Sequence, residues 1–411
     1  MSVAPQQQLG HPTSVQVRLG RILGHATSFG LAAIAAFAAT LDVTVESFHS
    51  ARLAVVMAFL LLLHLAMDQR LPLRREGVIY ACFVAYMLIE LLWTDDLWLA
   101  MNTVIPAVTF LLASMLFASL AAYHDLRSVL AGTLCGILAG AAFYTAISGF
   151  PFTYPHDFSY NAIAGMYLAG LFVALLASCY ARSRLLLIVI GCGLLLHLLA
   201  TTSIKFNLGV LLGVAAASVL HFRHVGGLLR RHAFLLLLLV GALGYAAASN
   251  EALRAGIERG ADRVALGVAV LEARENLPGY SAFQERARWQ SDGLRGWLQN
   301  PLFGHGVEAF RSDFGITSHS TPIDVLYNSG LIGCTLFYAI FLSLMRRVRH
   351  APRGSDGLRT LILGACVCYA FVSLSAPLHY NTFFAVFVGL SSALLGRRER
   401  HHPANHAGTE S

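Results

Sequence analysis

The chain has 411 residues, of which 56% are hydrophobic and only 12% are charged. A soluble globular protein carries about 25% charged residues, so this composition excludes an ordinary soluble domain and indicates a protein that crosses a membrane several times. The formal net charge is +7, but most of the basic excess lies in short arginine-rich segments between apolar stretches, so it indicates a membrane protein and not a nucleic-acid-binding surface.

Apolar stretches of about 20 residues recur along the chain, which is the length that a helix needs to cross roughly 30 Å of hydrocarbon. They are continuously apolar and do not alternate, which favours helices over a closed β-barrel. We therefore predict an all-α polytopic membrane bundle with about 12 transmembrane helices. The predicted spans are 22–40, 51–67, 77–93, 99–121, 128–149, 161–180, 185–201, 206–221, 233–249, 323–345, 359–375 and 378–396.

The arginines predict how these spans are oriented. With the N-terminus in the cytoplasm, every inside segment carries arginine, whereas the short outside loops carry only Arg52 and Lys205 and are otherwise acidic. The positive-inside rule then places both termini in the cytoplasm. The first 20 residues are polar and lack the apolar core of a signal peptide, so we expect the first span to be retained.

One long segment between the ninth and tenth spans divides the chain into three regions. Residues 1–249 contain spans one to nine, residues 250–322 form a large outer loop, and residues 323–411 contain the last three spans and a cytoplasmic tail. The loop contains eight arginines. Long loops cross membranes largely regardless of their charge, so we expect this positive charge to serve another purpose.

Two amphipathic helices are predicted in the outer loop, where they can lie over the membrane or cap the bundle. The first covers about 250–275. The second opens at Ser281 with a capping-box pattern and runs to about Gln299. Arg286 borders the apolar stripe of this second helix, whereas Arg288 lies on its far side.

The charged residues near the spans have both a structural and a functional interpretation. Lys205 is the only lysine, and it either extends its ammonium to the membrane interface or presents it to a substrate phosphate. Arg286 and Arg288 are either solvated helix charges or a clamp that binds an anion through paired hydrogen bonds. Arg263 is a further candidate, although any amphipathic helix carries such residues.

His319 lies just before the tenth span. It is either an interfacial histidine hydrogen-bonded to backbone or a general base, because an imidazole with a pKa near 6.5 suits that role at neutral pH. The competing histidines are His156, His305 and His379. The carboxylates held in reserve as bases are Asp42, Glu90, Asp95 and Asp96.

The segment PLFGHGVEAF, residues 301–310, follows Arg286 and Trp289 on the predicted loop helix. This order resembles the signature of the O-antigen ligase and polymerase family, in which an arginine and a nearby tryptophan precede Pro-x-x-Gly-x-Gly and an aromatic residue. A second family element is a histidine with glycines eleven and fourteen residues later, and it resembles His319 with Gly330 and Gly333.

Two further positions resemble the family. The segment TTSIKF places Lys205 where arginine is commoner, and Asn161 in YNAIAG is similar to an asparagine that opens a span in many members. There are also departures, because Ser320 replaces a usual asparagine and Trp289 is one position early. The second departure leaves open whether Arg286 or Arg288 has the role of the family's arginine.

The resemblance implies transfer of a glycan from undecaprenyl diphosphate to a sugar hydroxyl at the periplasmic face of the bacterial inner membrane. It implies an inverting single displacement that needs neither metal nor cofactor, with His319 as the base. A flippase and a chain-length regulator are implied as partners, along with the lipid bilayer itself. The residues implied to bind the diphosphate are Arg286, Arg288, Lys205 and Arg263, and those implied to bind other parts of the substrate are Asn161 and Trp289.

Several functions remain open at this point. A polymerase extends O-antigen or exopolysaccharide repeat units, a ligase transfers finished glycan to lipid A-core, and a protein O-oligosaccharyltransferase transfers it to serine or threonine. We prefer the polymerase because the chain shows no extra C-terminal domain. A secondary transporter also has about 12 spans, but transporters place ionisable residues and broken helices near the membrane midplane, whereas charge here is concentrated in the outer loop.

Overall fold

The computed structural model describes residues 14–44, 50–68, 71, 73–148, 160–181, 185–200, 203–220, 258, 280–351 and 356–401. These residues form helices and no strands, which confirms the all-α prediction. The helices are α1 (Ser14–Thr44), α2 (Ser50–Asp68), α3 (Arg75–Glu90), α4 (Leu97–Tyr123), α5 (Leu126–Ser148), α6 (Tyr160–Ser178), α7 (Leu185–Ala200), α8 (Ile204–Leu220), α9 (Tyr280–Trp297), α10 (Ala309–Phe314), α11 (Thr321–His350), α12 (Asp356–Ser373) and α13 (Thr382–His401).

Helices α1 to α8 and α11 to α13 coincide with predicted spans. By length and composition, seven helices in the described residues can cross a membrane, namely α1, α2, α4, α5, α6, α11 and α12. Helices α7, α8 and α13 contain shorter apolar segments. The predicted ninth span, 233–249, lies outside the described residues, as does the first predicted loop helix, 250–275, apart from its residue 258.

Most predicted boundaries differ from the helix ends by one or more residues, as the last span and the second loop helix illustrate. The last span was predicted to start at residue 378, but α13 starts at Thr382 because Leu378 and Asn381 form a turn, and the Asn381 side chain caps the helix by accepting from the Phe384 NH at 3.0 Å. The second loop helix, α9, ends at Trp297, two residues before the predicted Gln299.

Helices α1 and α5 approach each other through a stripe of glycines. Gly132, Gly136 and Gly140 lie four residues apart on α5, and a Cβ at the first two would overlap the backbone oxygens of Phe29 and Ala33. Small residues at this spacing let helix backbones meet, which favours association in lipid. The sequence analysis missed this stripe, although the Gly-x-x-x-Gly spacing is a recognised signal for it.

We expect Gly136→Leu to lower the stability of the protein by about 1–3 kcal/mol, because the added side chain overpacks the contact with α1. The thermal midpoint of the detergent-purified protein measures this effect. Gly193→Leu is the matched control, since a Cβ at Gly193 meets nothing within 4 Å. Equal midpoints for the two variants would contradict the close contact between α1 and α5.

The far end of the bundle, away from the segment that joins α9 to α11, is held by a buried ionic network. Glu76 on α3 is fully buried, and its carboxylate accepts hydrogen bonds from Ser343 at 2.8 Å and from Ser392 at 2.6 Å. It also forms a salt bridge with Arg347 at 2.9 Å. The network joins α3, α11 and α13 near the C-terminal end of α11. It therefore helps to fix the position of α11, whose N-terminal end follows His319.

Candidate functional site

The Pro-x-x-Gly-x-Gly segment pairs with an interruption in α11 at Gly330. The backbone NH of His305 donates to the Tyr327 carbonyl at 3.0 Å. In the opposite direction, the NH of Leu331 donates to the Pro301 carbonyl at 2.9 Å. The motif is therefore attached to α11 by its backbone, and it holds the start of that helix in a fixed position.

Two glycines permit this pairing. Gly330 has φ 61° and ψ −163°, and Gly304 has φ 72°, values that favour glycine because it lacks a Cβ. A Cβ at Gly304 would overlap the Asn328 carbonyl, and one at Gly330 would overlap the Leu302 carbonyl. Glycine is thus required at Gly304 in the Pro-x-x-Gly-x-Gly segment and at Gly330 in α11, because the two backbones meet at these positions.

His319 lies in a strained turn immediately before α11. Its φ is 57°, an uncommon value for a residue other than glycine. The Ser318 hydroxyl donates to the Ser320 carbonyl at 2.9 Å and accepts from the Ser320 NH at 3.0 Å, while the Ser318 NH donates to Asp324 at 3.2 Å. Backbone strain that is held by surrounding bonds is concentrated at functional sites, which favours a functional interpretation of His319.

Two more predicted site residues lie near the N-terminal ends of α6 and α8. The Asn161 side chain accepts a hydrogen bond from the Ser203 hydroxyl at 3.0 Å. The Lys205 ammonium donates to the backbone oxygen of Ser375, just beyond α12. These two bonds bring together the ends of three helices.

Arg286 on α9 and Lys205 on α8 both act electrostatically on His319. Burial lowers the pKa of His319 below its usual value, and the positive charges of Arg286 and Lys205 lower it further. The two cations are also close enough to repel each other. His319, Arg286 and Lys205, which we call the His319 cluster, therefore lie within electrostatic range of one another although they are far apart in the sequence, and the lowered pKa favours the neutral imidazole of His319 at neutral pH.

The remaining site residues predicted in the outer loop have other positions. Arg288 pairs with Asp292 at 3.6 Å and its side chain is 82% exposed. Trp289 is half-buried on α9. Arg263 lies outside the described residues. Arg286 and Arg288 are both exposed, but Arg286 is the one whose charge acts on His319, whereas Arg288 pairs with Asp292.

A cavity of about 390 Å³ lies beside His319. It is formed where the ends of α1, α2, α6 and α8 meet the turn between α12 and α13. Apolar groups such as Phe206 supply the larger part of its lining, and polar side chains supply the rest. The polar lining residues include Asp42, Ser50, Asn161, His319, Tyr380 and Asn381.

The four reserve carboxylates occupy different environments. Asp42 lines the cavity beside His319. Glu90 is fully buried and accepts a hydrogen bond from Ser329 at 2.9 Å, and Asp96 caps α4 by accepting from a backbone NH at 2.9 Å. Asp95 is exposed in the loop between α3 and α4. Of the four, Asp42 is the carboxylate that the structure places with the His319 cluster.

The two competing histidines that the structure describes, His305 and His379, are packed against other parts of the protein and do not line the cavity. His305 stacks on Tyr327 with ring centroids 4.6 Å apart, and its Nε2 lies 2.9 Å from the Gly296 carbonyl oxygen. His379 is buried, which lowers its pKa to about 3. His156 lies outside the described residues. His319 is the described candidate among the four that lines the cavity.

Sequence reasoning missed two ionisable groups near the site. Glu308 has φ 61° and accepts a hydrogen bond from the Thr103 hydroxyl at 2.5 Å, and burial raises its pKa. Tyr380 lines the cavity, and burial together with the charges of Asp324 and Glu308 raises its pKa. Their positions depend on contacts between distant segments, so no spacing in the sequence indicates them.

Within the part of the chain that the structure describes, no group of three or more His, Cys, Asp or Glu residues is placed to hold a metal ion. Comparisons with models of known protein families and with curated proteins find no match. The His319 cluster, the adjacent cavity and the motifs that surround them are thus the features from which a function can be inferred.

Proposed function

We propose that this protein is a membrane glycosyltransferase that moves a glycan from undecaprenyl diphosphate to a sugar hydroxyl. It acts without a metal or a cofactor, and it is of the type that the O-antigen ligase and polymerase resemblance implies. The single observation that carries the proposal is that His319 lines a cavity and has a pKa lowered by burial and by the positive charges of Arg286 and Lys205. A cavity lined by apolar groups together with hydrogen-bonding side chains suits a sugar, and paired cations suit a diphosphate.

The chemistry follows from these charges. His319 accepts the proton of the acceptor hydroxyl as the oxygen attacks the anomeric carbon of the donor. The bond between that carbon and the diphosphate oxygen breaks, and the electron pair leaves with undecaprenyl diphosphate. Lys205 and Arg286 stabilise the negative charge that develops on the leaving group. One displacement inverts the anomeric configuration.

Of the two candidate arginines on α9, Arg286 and Arg288, we assign the diphosphate to Arg286. Its positive charge acts on both His319 and Lys205, whereas Arg288 pairs with Asp292. Arg263 remains a proposed additional ligand of the diphosphate. Asn161 lines the cavity beside His319 and is proposed to bind substrate. Trp289, three residues after Arg286 on α9, is proposed to bind another part of the substrate.

The proposal includes an orientation in the bacterial inner membrane. Residues 233–249 supply a ninth span, which brings the total to about 12, and residues 250–322 form the periplasmic loop. The arginine-rich ends of the helices then face the cytoplasm, as do both termini. The His319 cluster lies at the opposite, periplasmic end, where lipid-linked glycans are delivered by a flippase.

Three enzymes fit the proposal, and they differ in the acceptor that receives the glycan. We favour the polymerase of O-antigen or exopolysaccharide repeat units. Deletion of the gene distinguishes them. Loss of a polymerase leaves single repeat units on the surface, and a chain-length regulator would act with it. Loss of a ligase leaves long polymer on the carrier lipid, and loss of a protein O-oligosaccharyltransferase leaves unmodified serines and threonines.

A secondary transporter remains the alternative of another class, and a reaction in detergent separates it from an enzyme. The donor is the lipid-linked glycan extracted from a strain that lacks this gene. Purified protein should join these glycans and release undecaprenyl diphosphate, with EDTA leaving the rate unchanged. A transporter cannot do so without compartments, so absence of any transfer would reject the proposed function, and loss of transfer in EDTA would reject its metal-free form.

The pH dependence of transfer should report the charges around His319. Because its pKa is lowered by burial and by two cations, the base form persists at lower pH than for a free imidazole, and kcat/KM should fall only in more acidic solution. Removing one positive charge raises the pKa of His319. We therefore expect Arg286→Gln to move the acidic limb of the kcat/KM profile to higher pH.

Arg288→Gln is the matched control for this pH profile, since Arg288 lies two residues away on the same helix and pairs with Asp292. Its acidic limb should coincide with that of the wild type. If both variants, or neither, displaced the limb, Arg286 would not be the arginine that acts on His319.

A further inference from the structure

The cavity beside His319 has a wall built by the adjoining ends of α1 and α2. Asp42 lies near the end of α1 and Ser50 begins α2, and the Ser50 side chain is hydrogen-bonded to the Asp42 carboxylate. Ser50 is itself fixed, because the Thr109 hydroxyl on α4 donates to its backbone oxygen at 3.3 Å. The Asp42 carboxylate therefore has a defined position in the cavity that His319 also lines. We call Asp42 and Ser50 the Asp42 wall.

The chemistry of the cavity differs from that of the His319 cluster. The described residues that line it include the amides of Asn161 and Asn381, and its ionisable groups are Asp42, His319 and Tyr380. A carboxylate accepts hydrogen bonds from neutral hydroxyls, whereas it repels phosphate and carboxylate groups. The part of the cavity beside Asp42 thus suits an uncharged sugar better than a phosphate or an acidic sugar.

The size of the cavity limits what enters it. Its volume of about 390 Å³ lies at the small end of the range for ligand pockets, about 300–1,000 Å³. A cavity of this size suits the end of a glycan better than a long chain. The reacting end of a glycan is the part that must come close to His319.

We propose that Asp42 binds a hydroxyl of the acceptor sugar and that this acceptor sugar is uncharged. The inference rests on the proposed glycosyl transfer and adds that different residues bind the donor and the acceptor. Lys205 and Arg286 bind the diphosphate of the donor, whereas the Asp42 wall and the neighbouring amides orient the acceptor so that its nucleophilic hydroxyl faces His319.

Asp42→Asn tests this assignment because it removes the charge and keeps the size of the side chain. Loss of a hydrogen bond to a charged group should lower kcat/KM for the extracted lipid-linked glycan by about ten- to a hundredfold. Binding of undecaprenyl diphosphate, which carries no sugar, should be unchanged. Asp95→Asn is the control, since Asp95 is an exposed carboxylate at the same end of the bundle, and it should behave as the wild type.

The outcomes separate this inference from the proposed function. If wild-type protein transfers glycan and Asp42→Asn matches it, the acceptor assignment is wrong and the enzyme remains. If Asp42→Asn weakens undecaprenyl diphosphate binding as much as transfer, Asp42 is structural and the assignment is again wrong. If the wild type transfers nothing, the enzyme itself is rejected, and the inference with it.

A second measurement does not depend on any variant being folded. Chemical analysis of the surface glycan made by the parent strain, compared with that of the deletion strain, identifies the sugar that accepts the linkage formed by this protein. We expect a sugar without carboxylate or phosphate groups. A uronic acid or a phosphorylated sugar at that position would overturn the inference.

Discussion

His319→Ala is expected to lower the rate of glycan transfer by about 10²- to 10⁴-fold, the contribution typical of a positioned general base. The variant removes the group that accepts the proton of the attacking hydroxyl. It leaves the cations in place, so binding of undecaprenyl diphosphate should be retained. The measurement is the initial rate of transfer in detergent solution with lipid-linked glycan from the deletion strain.

His350→Ala is the control for this loss, because His350 is exposed at the other end of α11 and should leave the rate at the wild-type value. Both proteins must elute as a single species of the same size as the wild type. Full transfer by a correctly folded His319→Ala variant would show that another group, Asp42 first among those in the cavity, accepts the proton.

Lys205→Ala is expected to weaken undecaprenyl diphosphate binding and to lower kcat by about 10²- to 10³-fold, the usual cost of removing one charge-stabilising donor. The Lys205 ammonium is held beside the Ser375 carbonyl and its charge reaches His319, so its loss leaves the departing diphosphate with one cation fewer. Titration with undecaprenyl diphosphate and steady-state transfer measure the two effects separately.

Lys205→Arg should restore most of the binding and rate, because it keeps the positive charge and because arginine is commoner at this position in the family that the motifs resemble. An Ala variant that binds undecaprenyl diphosphate as tightly as the wild type would contradict the role of Lys205. It would instead favour the simpler interpretation, in which the ammonium serves only to join α8 to the end of α12.

The helices themselves followed from the sequence because membrane spans are specified locally. A continuous apolar run of sufficient length can satisfy its backbone only as a helix in lipid, and α4 and α11 lie where such runs occur. The start of α13 was predicted four residues early, since Leu378 to Asn381 borders the apolar run but forms a turn. Composition alone does not distinguish these two outcomes.

The break in α11 and the strained turn at His319 could not be predicted from the sequence. The break in α11 at Gly330 depends on the backbone of Leu302, and the turn at His319 depends on Ser318 and Asp324. Each requires a contact between segments that no helical or strand period encodes. The motif indicated which residues matter, whereas their physical reason is visible only in three dimensions.

The cavity illustrates the same limit. Asp42 was one of four carboxylates in reserve, and nothing in the sequence separated it from Asp95. It is selected because the ends of α1 and α2 pack beside the turn that carries His319. The glycine stripe on α5 is different, because its spacing is a local pattern and was available to sequence analysis.

The structure of the protein with added undecaprenyl diphosphate, determined by electron cryomicroscopy in lipid nanodiscs, is the decisive measurement. We predict density for the diphosphate between Lys205 and Arg286, with oxygens at about 2.7–3.2 Å from their nitrogens and with His319 facing the outer phosphate. Density for the diphosphate on another surface, with Lys205 and Arg286 directed away from it, would contradict the proposed site and the reaction assigned to it.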